Sequence, residues 1–265
     1  MRATGTERLL VDVDDGVARV VFNNPEKHNA LTADMLDALP HALAALQADP
    51  AVRVVVIAGA GDRAFVSGAD ISEFEERRTT PEARSAYDAA WTAVNAAWAG
   101  LEKPVLAMIR GYCIGGGLLT ALRADIRLAA EGSQFGVPAA RLGLGYGFAG
   151  VRALVDLVGP SWTAEILFSA RRLSSAEALR IGLVNRVVPA VRLEGEVAEL
   201  ARSIRDNAPL TVAACKAAIR EAVADPDRRD LSRVVELVEA CFRSEDYREG
   251  QRAFREKRAP RFSGR

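Results

Sequence analysis

The sequence predicts an α/β fold with a helical C-terminal part. Short β-branched runs alternate with segments whose apolar residues recur at helical spacing up to about residue 190. Beyond Pro189 the remaining segments all read as amphipathic helices, broken near Pro209, Pro226 and Ser244. This divides the chain into residues 1–190, with mixed strands and helices, and residues 191–265, with helices alone. The alternation does not choose between a doubly wound sheet and a coiled stack of ββα units.

In chain order, residues 9–13 and 17–22 flank Asp15-Gly16 and read as a hairpin. A polar connection follows at residues 23–29. Met35, Leu36, Leu39, Ala42, Leu43 and Leu46 then repeat at helical spacing, and Pro40 predicts a kink or break among them. Residues 52–58 form a short β-branched run, the pattern of a buried strand. Thr80-Pro81-Glu82 is a helix start, with Tyr87, Trp91, Val94 and Trp98 on the face to be buried. Residues 104–109 and 125–130 read as strands, and Gly115-Gly116-Gly117 opens a helix between them. Ser174-Ser175-Ala176-Glu177 spells a capping box for a short helix ending at Gly182, and residues 184–188 are a further strand.

Composition narrows the function. The chain has 265 residues, enough for one sizeable core or a core with an appendage. Lys and Arg total 35, as do Asp and Glu, and this balance disfavours a nucleic-acid partner. No stretch approaches the roughly 18 apolar residues of a membrane helix, and the N-terminal residues lack a signal-peptide pattern. The three cysteines, Cys113, Cys215 and Cys241, fit neither a disulfide framework nor a metal site. A cytoplasmic protein without a metal centre is expected.

Two glycine-bearing loops carry the chemistry. Residues 64–71 (AFVSGADI) follow a predicted strand, and residues 111–117 (GYCIGGG) join a strand to a helix. Glycines at a helix entrance let a ligand approach the backbone and leave N–H groups aimed outward. One donor from each loop can polarise a carbonyl where negative charge develops. Tight turns and close helix–strand packing are the alternative use of the same glycines.

Six segments in order resemble the enoyl-CoA hydratase/isomerase (crotonase) family: NNPEKHNALT (23–32), AFVSGADISEF (64–74), PVLAMIRGYCIGGG (104–117), QFGVP (134–138), SSAEALRIGLVNRVVP (174–189) and EDYREGQRAFREKR (245–258). The resemblance implies a crotonase-like spiral of ββα units over residues 1–190 and a helical, oligomerising domain over residues 191–265. It also implies a homotrimer or homohexamer. The substrate it implies is an acyl-CoA thioester passing through an enolate, with coenzyme A part of the substrate and no separate cofactor. By the same resemblance the oxyanion donors are the N–H groups of Ala69 and Gly116. Lys27 and His28 fall in the segment that contacts the nucleotide end of CoA. Ser67, Asp70, Ile71 and Ser72 lie beside the pantetheine and thioester. Phe254 and Lys257 match tail positions that reach the adenine and phosphates, often across a subunit boundary.

One departure bears on the reaction. Family hydratases carry two glutamates, and the matching positions here are Leu119 and Ala139, neither of which can hold a proton. A positioned acid or base is worth on the order of 10²–10⁴ in rate. No carboxylate replaces them between residues 137 and 152. Arg141 and Tyr146 are the polar candidates left near that pocket. The stretch PAARLGLGYGFAG (138–150) resembles the loop of methylmalonyl-CoA decarboxylase-like members, which also lack the pair and carry a tyrosine at the position of Tyr146. Those members have histidine where this chain has Ala69. Two alternatives therefore stand beside a general thioester-enolate enzyme: a decarboxylase-like enzyme, and a catalytically weak CoA-binding paralogue.

Gly145 to Gly150 also fits the spelling of a dinucleotide-binding loop, the basis of a rival dehydrogenase reading. That motif requires a preceding hydrophobic strand, and residues 139–143 make a poor one.

Overall fold

The computed structural model describes residues 2–70 and 80–265. Strands β1 (Leu9–Asp14) and β2 (Val17–Phe22) form the expected antiparallel hairpin, with Asp15 and Gly16 both at positive φ in the turn. Helix α1 (Ala33–Ala48) continues through Pro40 without the break that the proline allowed. Buried Leu36, Leu39, Leu43 and Leu46 flank the proline, and their packing outweighs one missing backbone hydrogen bond.

The middle of the chain repeats one plan. Strands β3 (Val54–Gly59), β5 (Val105–Ile109) and β7 (Ile126–Ala130) are each followed by a three-residue strand: β4 (Ala64–Val66), β6 (Tyr112–Ile114) and β8 (Gln134–Gly136). The first of each pair joins one sheet and the second another. With β9 (Leu173–Ser174) and β10 (Arg186–Val188), the sheet orders are β1-β2-β3-β5-β7-β10 and β4-β6-β8-β9. All pairings are parallel except the β1–β2 and β8–β9 pairs. A chain that alternates between two sheets is a coiled stack of ββ units, and this excludes the doubly wound alternative.

Helix α2 (Pro81–Gly100) starts as its sequence predicts, with the Thr80 hydroxyl accepting the Ala83 N–H. Val94 and Trp98 are buried, and Tyr87 and Trp91 pack against the same core. Short α3 (Gly116–Ala121) follows β6. Helix α4 (Phe148–Ser169) escapes the sequence reading because Gly159, at φ 76°, and Pro160 interrupt it. Helix α5 (Ser175–Arg180) has both reciprocal bonds of the capping box between Ser174 and Glu177.

The C-terminal segment holds α6 (Leu193–Arg205), α7 (Pro209–Val223), α8 (Leu231–Arg243) and α9 (Glu245–Glu256). Helix α6 lays Leu193, Val197 and Ala201 on the larger sheet, over Val54, Val56, Leu106 and Leu128. Buried Lys216 ties α7 to the same sheet, donating to Asp125 (2.8 Å) and to the Lys103 carbonyl (2.7 Å). No helix among the described residues is long and apolar enough to cross a membrane.

Candidate functional site

A cleft of about 470 Å³ lies where the two glycine-bearing loops meet α2, α3 and the start of α4. Its walls include Ser67, Gly68, Ala69, Gly115 and Gly116 from the loops, and Leu119, Ala139 and Tyr146 beyond them.

The first loop is held open by a single strand-like bridge. The Leu31 N–H donates to the Gly68 carbonyl (2.7 Å) and the Asp70 N–H to the Leu31 carbonyl (2.9 Å). In that parallel pattern the intervening residue, Ala69, turns its own N–H away from Leu31. Gly68 at φ 116° sets this course, which a side chain would strain. In the second loop the Gly115 N–H is taken by the Gly136 carbonyl (2.8 Å). Gly116 is the first helical residue, so its N–H has no partner within α3. A methyl placed on Gly116 would sit 3.7 Å from the Ala69 nitrogen and 3.6 Å from the Trp91 ring. The two loops thus come into van der Waals reach of one another beside the Trp91 ring.

The segment 23–32 docks beside the first loop. The Ser67 N–H donates to the His28 carbonyl (3.1 Å), and Lys27 pairs with buried Asp70 at 2.8 Å. His28 meets the Tyr112 ring edge-on, 5.8 Å between centroids. Buried Asn29 pins the segment through bonds to the Ala60 and Ala64 carbonyls (2.9 and 2.7 Å). Lys27, His28, Ser67 and Asp70 are therefore neighbours at one edge of the cleft. Ile71 and Ser72 lie outside the described residues. Phe254 and Lys257 sit exposed on and just after α9, and neither lines the cleft of this chain.

Leu119 and Ala139 face the cleft, and Tyr146 lies next to them. A methyl on Gly150 would lie 3.1 Å from the Leu119 side chain and 3.2 Å from the Tyr146 ring. The Tyr146 hydroxyl is buried and, among the described residues, has no hydrogen-bond partner. Burial pushes its pKa up, so it remains a proton donor across the physiological range. Its hydroxyl is covered by protein. Arg141 is exposed and does not line the cleft. Gly145, Gly147 and Gly150 form part of the wall after a 3₁₀ turn (Pro138–Leu142), so the strand that a dinucleotide loop needs is absent at that place.

Sequence reasoning missed the α2 wall. Asp88, Thr92 and Asn95 share a stripe of that helix and line the cleft, as does Arg123 just beyond α3. The spacing 88, 92, 95 was available as a signal. It becomes meaningful only once α2 is known to face α3.

The fold and the cleft define an α/β protein of two coiled sheets with a cleft where two glycine-bearing loops meet. The chain belongs to the enoyl-CoA hydratase/isomerase family, whose model matches residues 12–265. A crotonyl-CoA hydratase of Syntrophomonas wolfei is 37% identical over 97% of this chain and 98% of that protein. A carnitinyl-CoA dehydratase of Proteus mirabilis is 35% identical over 98% of this chain and all (100%) of that one. The crystal structure of an enoyl-CoA hydratase/carnithine racemase from Magnetospirillum magneticum superposes with a TM-score of 0.91. It is 34% identical and covers 98% of this chain and 97% of its own.

Proposed function

We propose that this chain binds an acyl-CoA thioester in the cleft and stabilises its enolate with the N–H groups of Ala69 and Gly116. In this reading the thioester oxygen sits between the two donors, where preorganised dipoles act without reorganisation as charge develops. Lys27, His28, Ser67 and Asp70, with Ile71 and Ser72 following, border the path of the CoA arm. Phe254 and Lys257 serve the nucleotide end of a neighbouring subunit's ligand.

The observation that carries the chemical reading is the character of the wall beyond the donors: Leu119, Ala139 and one buried phenol. The two side chains at the hydratase positions can neither activate water nor return its proton. Crotonyl-CoA hydration by this chain is expected to be slower than by a two-glutamate relative by at least about 10³-fold, roughly 4 kcal/mol of barrier. A turnover comparable to such a relative, measured side by side, defeats this reading.

The orphaned Tyr146 hydroxyl favours the decarboxylase-like alternative over a merely weak paralogue. Loss of CO₂ from a malonyl-type thioester leaves the bonding pair on the α-carbon as an enolate, without a base. One proton, from Tyr146 or solvent, then completes the product. Incubation with enoyl-, malonyl- and methylmalonyl-CoA, with products read by mass spectrometry, separates these routes.

Assembly into a trimer or dimer of trimers belongs to the same proposal. Leu231, Val235, Val238 and Phe242 form an exposed apolar stripe along α8, spaced as one helix face. Light scattering at micromolar concentration tests it, and a monomer counts against it. Three free thiols accord with a reducing, cytoplasmic setting.

A further inference from the structure

Part of the cleft wall is polar, formed by Asp88, Thr92 and Asn95 of α2 and by Arg123. Arg123 lies just past α3, and its guanidinium donates to the Asn95 carboxamide oxygen on α2 at 2.7 Å. Among the described residues no carboxylate lies within 4.0 Å of it. Asp125, two residues on, is engaged by Lys216. Asp88, the carboxylate on the same wall, stands seven residues before Asn95, roughly 10 Å back along the helix. Burial alone pulls the Arg123 pKa down, with no neighbouring anion acting in the other direction. A guanidinium offers five N–H donors in a fork, and the one described bond leaves most of them for something else. Its unused nitrogens are not sealed within protein, and the residue lines the cleft.

A partly buried cation with one neutral partner carries an uncompensated desolvation cost. A ligand carboxylate, which the fork matches in a bidentate way, removes that cost.

We propose that Arg123 is a specificity residue that receives a carboxylate at the far end of the acyl chain. The substrate class is then the CoA thioesters of dicarboxylic acids. This rests on the acyl-CoA reading of the cleft and deepens it. Seven residues of helix and helical turn separate Gly116 from Arg123, roughly 10 Å at the helical rise. The anion is thus several methylenes from the thioester, distinct from a carboxylate on the α-carbon such as a decarboxylase removes. Asn95 holds the fork against α2 and leaves its outer edge to the ligand.

The test compares affinities within chain-matched pairs: glutaryl-CoA against pentanoyl-CoA, and adipyl-CoA against hexanoyl-CoA, by calorimetric titration of the intact protein. The wild type should bind at least one diacid thioester about tenfold or more tighter than its monoacid partner, the scale of one charge-assisted pair. Arg123→Gln should bring that ratio to about one or below while leaving the monoacid affinity nearly unchanged. Arg123→Lys should keep part of the preference. Equal affinities in the wild type overturn the inference, as does a ratio that survives Arg123→Gln. If Arg123→Gln weakens both members of a pair alike and lowers Tm, the residue only ties α3 to α2, and the inference also falls. If Arg123→Gln does not fold, the wild-type ratio decides by itself. Failure of every thioester to bind the wild type would instead remove the acyl-CoA reading, and this proposal with it.

Discussion

Replacing Tyr146 with phenylalanine should make the free protein more stable and a poorer catalyst. The hydroxyl is buried without a partner among the described residues, while the ring packs against the core beside Leu119 and Gly150. An unmet buried polar group costs roughly 1–3 kcal/mol. Phenylalanine keeps the ring and discards the group, so a gain of about 1–2 kcal/mol is expected. For a chain of this size that raises Tm by roughly 2–8 °C. Bound thioester should erase much of the difference if binding uncovers the hydroxyl, which protein covers in the free chain, and supplies its acceptor. Turnover on whichever thioester the wild type converts should fall by about 10²-fold or more, with KM changing less. Thermal unfolding of both proteins, free and with a saturating non-reactive thioester, provides the four numbers. An unchanged or lower Tm for Tyr146→Phe in the free state refutes the reasoning, since the hydroxyl would then be satisfied and structural.

Other expectations follow from the same contacts. Gly117→Ala would place a methyl 1.9 Å from the Val66 carbonyl oxygen, so the backbone of β4 or α3 must move. A loss of about 3 kcal/mol in urea unfolding is expected, and a loss under about 1 would show that the close approach yields easily. The Glu177 carboxylate is held at about 2, against an ordinary 4.5, by the Ser174 backbone N–H first and then by Arg171 and the Ser174 hydroxyl. Its folded value is depressed, so its contribution is complete above about 4.5 and is lost as pH falls toward about 2. Glu177→Gln should flatten the stability curve in that acid window and leave its slope near neutrality unchanged. Grafting Leu119→Glu with Ala139→Glu should raise crotonyl-CoA hydration without greatly changing CoA affinity. If the apolar cleft keeps both new acids protonated, the rate stays flat and the pH profile shifts upward.

Much of this architecture was legible because its signals are local. The hairpin rests on Asp15-Gly16, the α2 start on Thr80 and Pro81, and α5 on the Ser174–Glu177 box, each complete within a few residues. Strands β3, β5 and β7 are near-continuous apolar runs, as parallel strands covered on both faces must be. The paired glycine loops, and Leu119 and Ala139 where the family resemblance expects glutamates, could likewise be located along the chain.

Tertiary structure decided the rest, because the causes are distant in sequence. Three-residue strands such as β4 and β6 are too short for a period-2 pattern. Their partners are 48 and 22 residues away in the Ala64–Tyr112 and Tyr112–Gln134 pairings, and those bonds alone turn an α/β alternation into two coiled sheets. Pro40 reads as a helix breaker until the leucines around it find a shared core. Arg123 reads as one more charge at a helix end until α2 brings Asn95 against it, 28 positions earlier in the chain. The sequence determines which backbone donors and side chains the loops carry. Only packing determines that the loops carrying Ala69 and Gly116 line one cleft, that the Tyr146 hydroxyl is covered without a partner among the described residues, and that Arg123 meets Asn95 on the cleft wall.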